Sequence, residues 1–60
     1  MDAEEMLKEL YEELVAGSIQ VTDWEETFIN DVYEKVWEDE WTLTEAQEDK
    51  VEQIYGKYIG

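Results

Sequence analysis

Carboxylates are the only side chains of this sequence abundant enough to suggest chemistry: eighteen Asp and Glu stand against four Lys, with no Arg, His or Cys. General acid–base work needs a carboxyl whose pKa is pushed up by burial or by a like charge, usually in a cleft. The helical spacing described below sends almost every carboxylate to an outward face, which is the pattern of a solvated surface. Without His or Cys, Ser18, Thr22 and Thr44 have no base to activate them, so the usual nucleophilic triads cannot be built. The same gap removes zinc ligation and disulfides. The calcium-loop pattern D-x-[DN]-x-[DN]-G is absent, and Asn30-Asp31 and Glu38-Asp39-Glu40 offer a cation only loose attraction. Gly17, Gly56 and Gly60 are isolated, so no glycine loop cradles a phosphate. The sequence therefore predicts no enzyme: no catalytic, cofactor-binding or metal-ligating residue, and no cofactor.

What remains is binding. A formal net charge of −14 repels phosphate backbones and anionic membranes, because it lacks the cations that displace counterions. Nonspecific nucleic-acid binding is disfavoured, and a basic protein partner is favoured, with fast, salt-sensitive encounter. The plainer reading is that acidic surfaces keep small proteins soluble. Carboxylates one helical turn apart lie about 5–6 Å from each other, close to the spacing of successive phosphates, so a face carrying Glu5, Glu9 and Glu12 could imitate a nucleic-acid backbone. With no basic, apolar leader and no long apolar span, the sequence predicts a soluble cytoplasmic protein with no membrane association.

Three Trp in sixty residues are more than a small core easily encloses. Trp24 falls off the centre of its helix's apolar arc, and Trp41 lies in a connector beside an acidic run. Exposed indoles are frequent binding hot spots; alternatively, Trp37 and Trp41 close the open end of a bundle. The partner-binding set read from the sequence is Trp24 and Trp41 with Glu5, Glu9, Glu12, Glu34, Glu38, Asp39 and Glu40.

Three helices must position these groups, at roughly residues 3–16, 23–39 and 45–58, in a single all-α three-helix bundle spanning 1–60. Leu7, Leu10, Tyr11, Leu14 and Val15 recur at helical spacing, with Asp2 placed to cap the start and Gly17 to end the helix. Ser18–Val21 alternates like a strand but has no partner strand, so it reads as a loop whose Ile19 and Val21 tuck beneath the helices. Thr22 with Glu25 three residues on is a capping box, opening a helix whose inward face is Phe28, Ile29, Val32, Tyr33 and Val36. Thr44 and Gln47 repeat the signal before Val51, Ile54, Tyr55 and Tyr58, with Gly56 on the outward side. The acidic run at the second helix's end opposes the macrodipole, at a cost of about 0.3–1 kcal/mol per charge before screening.

A shift of 22 residues aligns Leu7, Ile29 and Val51; Leu10, Val32 and Ile54; and Tyr11, Tyr33 and Tyr55. Shared cap grammar and equal helix length can produce such a match, as can duplication of one unit. From Trp24 and Phe28, through Leu43-Thr44, Gln47 and Val51, to the Ile54-Tyr55 and Lys57-Tyr58 ending, the text resembles small bacteriophage-encoded helical proteins of mostly unassigned function. The resemblance covers residues 24–58; Glu38-Asp39-Glu40 stand where a neutral or basic connector is expected. It implies phage origin and action inside an infected bacterium, by modulating a host protein or by assisting replication and recombination, and carries over no catalytic residue.

The expected function is thus a non-enzymatic interaction protein that meets a basic partner through acidic helix faces and exposed aromatics. The alternative is an accessory protein of a replication or recombination complex with weak local nucleic-acid contact. Lys35, Lys50 and Lys57 would carry that contact, and their clustering beside exposed aromatics would favour it. Oligomeric state is open: self-repulsion opposes a dimer, while apolar surface at Trp24, Trp37 and Trp41 favours one.

Overall fold

Capping fixes where each helix begins. In the computed structural model, which describes residues 2–60, helix α1 runs Ala3–Ala16, α2 Asp23–Trp37 and α3 Glu45–Tyr58. The Asp2 carboxylate accepts from the Glu5 N–H at 2.9 Å, satisfying a donor that a helix start leaves unpaired. Both expected capping boxes form. Thr22 Oγ1 accepts from the Glu25 N–H while Glu25 Oε1 accepts from the Thr22 N–H; Thr44 and Gln47 do the same for α3.

The helix ends differ from one another. Gly17 sits at φ 77°, and the Ser18 and Gly17 N–H groups return to the Glu13 and Leu14 carbonyls, a Schellman ending that glycine makes easy. Helix α2 stops at Trp37, two residues short of the expected Asp39. Beyond it Glu40 adopts φ 57°, and the Trp41 N–H reaches back six residues to the Lys35 carbonyl at 3.0 Å. Three successive carboxylates oppose further helix at a C-terminus, and a left-handed residue turns the chain toward α3. That conformation costs an L-residue roughly 1–2 kcal/mol, without a glycine to relieve it.

Helix α1 packs against both α2 and α3, which approach one another much less closely. Leu7, Leu10, Ile29, Val32, Val36, Val51 and Ile54 form the core, and burying each such side chain stabilises the fold by about 1.5–3 kcal/mol. The 22-residue offset has a structural counterpart. Leu7, Ile29 and Val51 are all fully buried, as is Leu10, with Val32 and Ile54 nearly so, and Tyr11, Tyr33 and Tyr55 are half-buried at the edge. Each helix thus presents the same stripe to the centre.

Two positions depart from expectation. Leu43, in the connector, is buried beneath the bundle and completes the core with Ala3. Val15, expected on the apolar face, is 68 % exposed, because at 3.6 residues per turn it lies about 80° around from Leu7, on the last turn of α1. Ile19 and Val21 do pack against the core from an irregular connector. Gly56 points outward: a methyl there would meet no atom.

Candidate interaction surface

Carboxylates cover this bundle. Of the eighteen, fourteen are exposed, three are half-buried, and only Glu25 is buried. All three indoles stand in the same surface, Trp24 57 %, Trp37 46 % and Trp41 55 % exposed. Trp37 and Trp41 therefore do not close the end of the bundle. Trp37, on the last residue of α2, and Trp41, in the turn beyond it, are each only about half covered.

The predicted binding residues fall into three places. Glu5, Glu9 and Glu12 share the outer face of α1, where with Lys8, Glu13 and Trp37 they line an open cleft of about 480 Å³. Glu9 is less free than its face suggests: it is half-buried and accepts from the Tyr55 hydroxyl at 3.0 Å. That bond to a carboxylate holds the Tyr55 phenol above its ordinary pKa. Glu34, Glu38, Asp39, Glu40 and Trp41 gather, all exposed, around the C-terminal end of α2. There Lys35 stands over the Trp41 ring at 5.4 Å and pairs with Asp31 at 3.4 Å, an exposed pair worth little to stability. Trp24 lies apart from both, stacked on Phe28 with ring centroids 5.4 Å apart.

Trp24 opens onto a second cleft, of about 270 Å³, between the start of α2 and one face of α3; Thr22, Glu25, Lys50, Gln53, Ile54 and Lys57 complete it. The four α3 residues follow an i, i+3, i+4, i+7 spacing, one face of a helix. That spacing was the sequence signal for this wall. Lys50 Nζ lies 5.1 Å from the Trp24 ring centre and 3.4 Å from Gln53 Oε1. Among the described residues Lys35 and Lys57 form the ion pairs, whereas Lys50 and Lys8 form none. Each lysine lies over an aromatic ring: Lys8 over Trp37, Lys35 over Trp41, Lys50 over Trp24 and Lys57 over Tyr58. An ammonium over a ring gains about 0.5–1 kcal/mol at an exposed site. The exposed carboxylates are thereby left largely without cations.

Glu25 has a role beyond its cap. While Oε1 accepts from the Thr22 N–H at 2.9 Å and the Tyr58 hydroxyl at 2.5 Å, Oε2 accepts from Lys57 Nζ at 3.1 Å. The Tyr58 bond, then the Thr22 bond, and lastly Lys57 outweigh burial and pull its carboxyl down to about 2; Lys57 is correspondingly raised, chiefly by its bond to Glu25. This carboxylate, low rather than high in pKa, is a fastener between the start of α2 and the end of α3.

No helix among the described residues is long and apolar enough to cross a membrane, and no group of three or more acidic side chains among them is arranged to hold a metal ion. Comparison with family models, curated proteins and solved structures found no match to this chain.

Proposed function

We propose that this protein is a non-enzymatic binding module that docks on a basic surface of a partner protein, through the acidic face of α1 and the acidic turn after α2, with Trp37 and Trp41 as anchors. The observation that carries this reading is the placement of exposed indoles beside carboxylates that form no ion pair among the described residues, Lys8 and Lys35 lying over the two rings instead. A desolvated indole supplies contact area at a hot spot, and the surrounding charge steers a cationic partner and fixes its register. On the face of Glu5, Glu9 and Glu12 neighbouring carboxylates stand about one turn apart, a spacing that suits substitution for a phosphate track on a nucleic-acid-binding protein. The resemblance to small phage proteins makes a host protein of the bacterial cytoplasm the natural partner.

The nucleic-acid alternative called for Lys35, Lys50 and Lys57 to act together. Lys50 and Lys57 line one cleft with Trp24, but Lys35 stays with Asp31 and Trp41. That separation weighs toward a protein partner and against a track along a strand.

The test is affinity capture from bacterial lysate with the whole chain, with Trp41→Ala, and with the triple variant Glu38→Gln, Asp39→Asn, Glu40→Gln. A specific partner should be retained by the parent chain, lost from both variants, and released as salt rises from about 0.15 M to about 1 M, where the Debye length falls from ~8 to ~3 Å. Retention of the same proteins by all three chains would overturn the reading.

A further inference from the structure

The cleft between α2 and α3 differs from the rest of the surface. It is where two of the four lysines meet, and it adds an exposed indole, an amide and a hydroxyl. We propose that it binds one nucleotide unit, the base stacked on Trp24 and the phosphate held by Lys50 and Lys57.

Chemistry and size both support this occupant. Trp24 offers a flat, exposed surface already backed by Phe28, and aromatic side chains of this kind stack bases irrespective of sequence. Lys50 stands over the indole without a carboxylate partner. A base takes the ammonium's place on the ring, and the freed ammonium takes the phosphate. Gln53 supplies both a donor and an acceptor to a base edge. Lys57 is shared with Glu25, so the cleft holds one uncompensated positive charge and suits one phosphate. Its volume of about 270 Å³ lies just below the usual ~300–1,000 Å³ of ligand sites, enough for one unit. The site is thus distinct from the acidic faces, and neither reading depends on the other.

The shared chemistry is a nucleotide, free or at the end of a strand. Adenosine monophosphate, adenosine, inorganic phosphate and a short oligothymidylate are titrated at low salt, first into Trp37→Phe/Trp41→Phe protein, where Trp24 is the sole indole emitter. The monophosphate should quench Trp24 saturably, adenosine more weakly and phosphate not at all. Lys50→Ala should weaken the monophosphate about fivefold, the worth of one exposed charge contact, and leave adenosine unchanged. A tighter oligothymidylate would assign the strand as source, a weaker one the free nucleotide. Amide shifts of Gln53 and Lys57 in the unmodified chain give an independent readout should the double variant misfold. No saturable shift by either method, or a Lys50→Ala protein that binds the monophosphate as before, would overturn the proposal.

Discussion

The two capping boxes are built alike and put to different uses. In Thr22/Glu25 and Thr44/Gln47 the reciprocal bonds have nearly equal lengths, 2.9 and 3.1 Å against 3.0 and 3.2 Å. Gln47 stops there, half-buried at the start of α3. Glu25 is buried, and also takes Lys57 and Tyr58 from a helix more than thirty residues away in sequence. Since α2 and α3 barely touch along their lengths, this carboxylate links them where direct packing does not. The same four-residue signal can thus be local punctuation or a tertiary tie. A carboxylate with acceptor capacity to spare, on Oε1 for Tyr58 and on Oε2 for Lys57, makes the difference.

Removing each box separately tests that contrast most severely. Glu25→Ala loses the box, the acceptor of Tyr58 and the partner of Lys57, and should cost about 2–3 kcal/mol. That would lower the Tm of so small a domain by roughly 10–20 °C. Gln47→Ala loses only a local bond and should cost about 0.5–1 kcal/mol. Urea unfolding followed by circular dichroism measures both, and equal losses would dissolve the comparison.

Tyr58→Phe asks how much of the tie is the phenol. One hydrogen bond to a charged acceptor is worth about 1.5–3 kcal/mol, and the half-buried setting points to the lower end. Because Tyr58 is the chief cause of Glu25's depressed pKa, the acid limb of the variant's stability curve should also move to higher pH.

Glu25→Gln keeps a box residue of the type α3 already uses but removes the charge. A carboxyl lowered from 4.5 to about 2 on folding contributes stability that is fully present above pH 4.5 and is lost as pH falls toward 2. The stability gap between the parent and Glu25→Gln should therefore be widest above pH 4.5 and close as the pH approaches 2. A gap independent of pH would show that charge plays no part. The reciprocal change, Gln47→Glu, should move stability by less than about 0.5 kcal/mol, since a favourable helix N-terminus is set against an already acidic chain.

The features legible in the sequence were those with local causes. Asp2, Thr22 and Thr44 cap as read, Gly17 ends α1 in the left-handed conformation, and the stripes of Leu7, Ile29 and Val51 meet at the centre. The misses depend on which elements lie close in space. Leu43 reads as a connector residue until the bundle closes over it, and Val15 reads as apolar stripe until its end of α1 proves uncovered. Glu25's partners sit on another helix, as does Glu9's Tyr55. The site was legible to the same degree. The indoles and carboxylates were named, but their division among the α1 face, the acidic turn and the α2–α3 cleft follows from helix packing. Trp37 was named as apolar surface but left out of the binding set, and its exposure beside the α1 cleft follows from how α1 and α2 pack.

The stacked tyrosines at the α1–α2 seam carry a spectroscopic consequence. Tyr11 and Tyr33 lie nearly parallel, 3.8 Å apart with 6° between their planes, and Tyr33 is 6.1 Å from Trp37. Chromophores so close and so regularly disposed couple their transitions and pass excitation energy to the indole. The seam thereby acts as its own optical gauge: near-ultraviolet dichroism and tyrosine-to-tryptophan transfer both report whether α1 is seated on α2. Neither signal requires an added label.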